Sequence, residues 1–134
     1  MDLYSRYIKF EEFEKMAKQI PGTGMLIPIA GTLCIKGLTR GSFYMGNCFS
    51  LHGVYPLTKA IGDAWMISHP ALLRKFPLAP HRSARQVILD AFRDFKFDAI
   101  QIQVPDDFHV RWCESIGFTK VKKEGDKVHL MILK

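Results

Sequence analysis

No uninterrupted apolar run in the 134-residue chain approaches the ~20 residues that a membrane-spanning helix needs. The first residues, Met1-Asp2-Leu3-Tyr4-Ser5-Arg6, lack the apolar core of a secretory signal, so the expectation is a cytoplasmic protein with no membrane partner. Cysteine is scarce. Cys34, Cys48 and Cys113 form no CxxC pair and cannot all pair with one another, which suits reduced thiols serving as small apolar residues. The five histidines show no HxxxH or HxH spacing, and with such scattered cysteines they make no zinc site. There is no G-x-S-x-G, P-loop or dinucleotide fingerprint, and the carboxylates are dispersed rather than paired. What is present is apolar surface: 48% hydrophobic residues, including 10 Phe, 4 Tyr and 2 Trp, exclude a disordered chain. A chain of this length forms one domain, 1–134, burying roughly two-thirds of its unfolded surface without metal or disulfide.

Negative charge is the minority sign. With 19 Lys+Arg against 13 Asp+Glu the net charge is +6, which favours an anionic partner: nucleic acid, another phosphate-bearing ligand, or a protein with an acidic surface. The bases gather in two places, Arg74, Lys75, Arg82 and Arg85, and Lys120, Lys122, Lys123 and Lys127. With no RNP-like or helix-turn-helix motif, nucleic-acid binding would be phosphate-driven and unspecific. Lysines on a terminal edge strand also serve to prevent sheet-to-sheet pairing.

Glycine is unevenly distributed. Eight of the ten glycines fall between Gly22 and Gly62, among β-branched and aromatic residues, and none lies between Gly62 and Gly117. The first region reads as strands near 32–36, 42–52, 54–60 and 63–69, with His52-Gly53 and Gly62-Asp63 as turns. Before it, Tyr4 to Ile8 reads as a strand, and Phe10, Phe13, Ala17 and Ile20 place an amphipathic helix over 9–20, stopped by Pro21-Gly22. In the second region Ala84, Val87, Ile88, Ala91, Phe92 and Phe95 make a helical stripe over 81–95. Ala99 to Val104 alternates as a strand, Asp106 or Asp107 caps a helix over 107–115, and Gly117 stops it. Residues 118–123 and 127–133 form a closing hairpin turned through Glu124-Gly125-Asp126.

That order, with Val104-Pro105-Asp106-Asp107-Phe108-His109-Val110-Arg111-Trp112-Cys113-Glu114-Ser115-Ile116-Gly117-Phe118 at its centre, resembles the GNAT fold of acetyl-coenzyme A-dependent N-acetyltransferases. The segment is similar to the family's strand, N-x-x-A-x-x-x-Y and G-F series. With Leu51-His52-Gly53 and Ala64-Trp65-Met66-Ile67-Ser68 it resembles most a small GNAT-like group of short-tailed phages that includes internal virion proteins. The resemblance spans about residues 42–134. It implies an α/β (α+β) fold, a single GNAT-like domain with a mixed twisted sheet flanked by helices. It also implies a ligand cleft where the fourth and fifth strands splay apart, rimmed by Ser68, His69, Arg74, Lys75, Arg82 and Arg85, with Trp65 or Cys113 deeper.

Active members carry R/Q-x-x-G-x-G/A ahead of the third helix, whose glycines let backbone amides reach the cofactor diphosphate. Here the matching residues 72–85 contain no glycine and two prolines, so that cradle cannot form in the usual way. Arg74, Lys75, Arg82, Ser83 and Arg85, with Asp106 at the family's asparagine position, are the candidate cofactor-binding residues. Cys113 takes the place of the tyrosine that reprotonates the leaving thiolate, and His69 is the candidate base; both are weak substitutes for the family's groups. The resemblance, with these departures, leads to a phage-type GNAT-like protein acting through protein contacts in the host cytoplasm or virion, with no cofactor ahead of acetyl-coenzyme A. The alternatives are an active N-acetyltransferase with an unusual cofactor loop and an unspecific nucleic-acid binder.

Overall fold

The structure, a computed structural model, describes residues 3–20 and 36–134. The elements run β1 (Leu3–Tyr7), α1 (Phe10–Lys18), β2 (Leu38–Tyr44), β3 (Asn47–Pro56), β4 (Ile61–Ser68), α2 (Pro70–Lys75), α3 (Leu78–Phe95), β5 (Ala99–Val104), α4 (Asp107–Ile116), β6 (Thr119–Glu124) and β7 (Lys127–Leu133). All seven strands join one mixed sheet in the order β1-β2-β3-β4-β5-β7-β6, with β4 and β5 as parallel neighbours. This is the α/β architecture expected from the element order. Among the described residues no helix is long and apolar enough to cross a membrane.

The two faces of the sheet are covered differently. Alternation along β4 sends Trp65 and Ile67 to one face, where they meet Phe13, Met16 and Ala17 of α1, and Ala64 to the other, beneath α3 and α4. On that second face Val87, Ile88 and Ala91 of α3 and Val110 and Cys113 of α4 pack onto Val54, Ile100, Ile102 and Leu130. The stripe read from residues 84–95 is the buried side of α3, which begins three residues earlier than the expected 81, with Pro80 in its first turn where a missing N–H costs nothing.

The glycine-rich half needs correction. The turns fall at Met45-Gly46, both at positive φ (53° and 83°), and at residues 57–60, not at His52-Gly53 and Gly62-Asp63. Gly53 and Gly62 lie inside strands because neighbours press on them: a Cβ on Gly53 would sit 2.7 Å from the Trp65 indole, and one on Gly62 2.7 Å from the Phe97 ring. The expected strands 42–52, 54–60 and 63–69 are therefore 38–44, 47–56 and 61–68. The strand expected near 32–36 lies, apart from Lys36, outside the described residues. The short helix α2 was not expected at all; His69 starts it, with Pro70 at its first position.

Candidate functional site

The parallel β4–β5 ladder lasts for three residue pairs, Ile61–Asp63 against Ala99–Gln101. Beyond it β4 continues beside β3 as far as Ser68 and β5 continues beside β7 as far as Val104, so the two strands part. Past Asp63 the β5-facing edge of β4 has no strand partner among the described residues, and residues 63–68 are only half-buried although they lie in mid-sheet. A cavity of about 700 Å³ occupies the opening, with Asp63, Trp65, Gln101, His109, Trp112 and Cys113 among its walls. A recess of about 300 Å³ shares Met66 and His109 with it and extends to Ser68, Arg74, Asp106 and Phe108.

Strand alternation gives the cavity two sides. Ala64, Met66 and Ile102 face the α3/α4 layer together with Trp112 and Cys113; Asp63, Trp65, Gln101 and Gln103 face the α1 side. Asp63 stands where the ladder ends. Gln101 Nε2 donates to its Oδ1 over 3.4 Å, and Tyr55, its cross-strand partner, hydrogen-bonds to the same carboxylate. Burial raises the Asp63 pKa, against the pull of those two hydrogen bonds, and burial beside Asp63 raises that of Tyr55. The result is a carboxylate in a walled opening whose affinity for a proton is higher than usual, a combination that marks acid–base sites. In the walls around it, the indole nitrogens of Trp65 and Trp112 are buried without a hydrogen-bond partner among the described residues.

The residues singled out from sequence are dispersed. Cys113 lines the cavity, but burial, and secondarily Glu114, push its thiol up to about 12, which makes it a poor proton donor at neutral pH. His69 lines neither the cavity nor the recess; its Nδ1 accepts from the Leu72 amide at 3.4 Å, capping α2. Ser68 and Arg74 do line the recess, and Lys75, next along α2, lies over the Tyr44 and Phe76 rings. Asp106 caps α4 by accepting from the His109 amide at 2.9 Å, and also meets His109 Nδ1 at 2.6 Å. Arg82 and Ser83 face elsewhere: with Tyr4, Ser5 and Arg40 they line a separate groove of about 470 Å³ between β1 and α3, where the Arg40 Nε donates to the buried Ser83 hydroxyl at 3.1 Å. Arg85 is exposed on α3. Asp63 was missed because Gly62-Asp63 has the composition of a turn; its signal was its place inside an aromatic and β-branched run.

The resemblance implies coenzyme A, whose pantetheine arm the β4–β5 opening would have to take and whose diphosphate the start of α3 would have to hold. The first part fits, because the free edge of β4 offers unpaired N–H and C=O groups beside apolar walls. The second does not. Residues 70–75 are wound into α2, Pro77 precedes α3 without a side-chain cap, Pro80 has no N–H to offer, and no glycine opens the backbone anywhere between Gly62 and Gly117.

No protein-family model matches the chain, and no curated protein matches it in sequence. Solved structures do match in shape. A GNAT family acetyltransferase from Elizabethkingia anophelis with acetyl-CoA bound superposes with a TM-score of 0.72 at 9% identity, over 99% of each chain. The IAA acetyltransferase from Bacillus cereus gives 0.72 at 11% identity, over 99% of this chain and 100% of its own. The PaiA N-acetyltransferase from Thermoplasma acidophilum in complex with coenzyme A gives 0.67 at 11%, over the whole of both chains. At such identities the likeness speaks to architecture alone, and the architecture is the GNAT fold.

Proposed function

We propose that this chain is an N-acyltransferase that accepts a pantetheine thioester in the β4–β5 cleft from the α3/α4 side and an amine from the α1 side. The observation that carries the proposal is Asp63, held at the end of the ladder on the amine side with its proton affinity raised. A bound thioester supplies an activated acyl carbon. The free edge of β4 offers backbone donors to orient it, and Trp65, Met66 and Cys113 wall the site against water. Asp63 takes the proton that the amine sheds as it attacks, while Gln101 and Tyr55 hold the carboxylate in position. Shape likeness to structures solved with acetyl-CoA or coenzyme A supports the donor class.

The test is amine-dependent thiol release from acetyl-pantetheine and acetyl-coenzyme A over a panel of primary amines. Wild type should release thiol, and Asp63→Asn should lower the rate by roughly 10²- to 10⁴-fold while remaining folded. Absence of amine-dependent release from both donors in the wild type would sink the proposal. A second reading, a role through protein contacts without catalysis, would engage the exposed bases Arg74, Lys75, Arg82 and Arg85. Such a role without catalysis predicts partner binding that Asp63→Asn leaves intact. Unspecific nucleic-acid binding predicts a steep loss of affinity with salt for any sequence.

A further inference from the structure

We infer that the acyl donor is carried on a small acidic protein, through a phosphopantetheine arm, rather than on coenzyme A; this rests on the acyltransfer reading above. The cleft accepts the part that the two donors share and lacks the cradle for the part that only coenzyme A has. The opening beside β4 is walled by Ala64, Met66 and Ile102, whereas the start of α3 presents Pro77 and Pro80 where a diphosphate needs backbone amides.

What the mouth offers instead suits a protein surface. Between Asp63 and Asp90 the chain carries Arg74, Lys75, Arg82 and Arg85 and not one carboxylate. All four are exposed; Arg74, with Lys75 next to it on α2, stands at the recess that continues the cleft, whereas Arg82 lines the groove beside β1. An apolar side chain stands without cover beside Arg74: Phe108, in the wall of the same recess, is 46% exposed. A cationic rim beside an exposed aromatic ring complements an acidic protein face, steering its approach through charge and docking through Phe108. Asp106, which lines the recess with Arg74, accepts from the His109 amide and meets its ring.

The transfer balances without any further reactant. The amine nitrogen bonds to the acyl carbon, the carbon–sulfur bond breaks, the amine proton passes to Asp63, and the thiolate leaves on the carrier's arm and takes a proton from solvent.

The test offers acetyl-loaded acyl carrier protein, acetyl-coenzyme A and acetyl-pantetheine as donors to one amine, at about 20 mM and about 300 mM salt. The loaded carrier should outpace acetyl-coenzyme A by roughly tenfold or more at low salt, with the advantage shrinking at high salt. Arg74→Glu with Lys75→Glu should lower the ratio of the carrier rate to the acetyl-pantetheine rate. Calorimetric titration gives a readout without turnover: the carrier bearing its arm should bind more tightly than the same carrier without it. Acetyl-coenzyme A equalling the carrier, an advantage indifferent to salt and to charge reversal, or equal binding with and without the arm overturns the inference and leaves the acyltransfer reading standing. No transfer from any of the three donors overturns both.

Discussion

Gly53 of β3 and Trp65 of β4 are cross-strand partners so close that a Cβ on the glycine would lie 2.7 Å from the indole. The ring rests on bare backbone, meets Phe13 of α1 edge-on at 6.2 Å between centroids, and forms part of the cleft wall. Gly53→Ala should displace it. The expected cost is about 1–3 kcal/mol in urea unfolding, with a shift in tryptophan emission in the folded state. An alanine variant with wild-type stability and emission would show that the contact yields freely.

Asp63→Asn should lose activity and gain stability together. Its folded pKa is raised above the ordinary 3.8, so ionisation costs stability, a cost that builds as the pH rises above 3.8 and is complete above the raised value. Asparagine removes the charge, so its melting temperature should exceed that of wild type at pH 7, and the difference should vanish below about pH 3.8. For the wild type, turnover should rise with pH as the carboxyl ionises, and a pH–rate profile reads this directly.

His52 should make the protein acid-sensitive well above the carboxylate range. It is 2% exposed, its Nε2 has no partner among the described residues, and burial, with Arg40 nearby, pushes its pKa down to about 3. In the unfolded chain the ring takes a proton near pH 6.5, so stability is held above that pH and falls as the pH drops from there towards about 3, by ~1.4 kcal/mol per pH unit once fully developed. Urea unfolding at about pH 7 and about pH 5.5 should show this slope in wild type and a flatter one in His52→Gln. Parallel slopes would count against it.

Asp106→Ala should cost about 1 kcal/mol by freeing the first turn of α4, and Asp106→Asn should recover most of it. Hydrogen bonds from the His109 amide and ring hold this carboxyl below its usual pKa, so its contribution is present above pH 3.8 and is lost as the pH falls through the lowered value. Melting curves of the three proteins at neutral and acid pH test both statements.

Side chains that repeat at a fixed period could be read from sequence, and those placed by register could not. The α3 stripe from Ala84 to Phe95, the alternation of Ala99 to Val104 and the Asp106 cap are local patterns, and each sits where its pattern indicated. The parallel pairing of β4 and β5 also followed from element order. Gly53 and Gly62 misled because a glycine that makes room for an indole or a phenyl ring looks, in one dimension, like a glycine that turns the chain. The same ambiguity concealed Asp63, whose partners Tyr55 and Gln101 lie 8 and 38 residues away in sequence. Charge had a parallel limit: spacing marks Arg74 and Arg82 as exposed, but only the fold sends one to the recess beside the cleft and the other to the groove beside β1.

The shortness of the β4–β5 ladder has a mechanical consequence. Among the described residues, three pairs are the whole of the strand pairing between the β1–β4 half of the sheet and the β5–β7 half, so the sheet is seamed along the line where it opens. The seam is held shut by α3, whose Val87, Ile88 and Ala91 share one apolar cluster with Val54 on one side and Ile100 on the other. The width of the opening is therefore governed from the back of a helix as well as by the residues that line it, and substitutions at Val87 or Ile88 should change it.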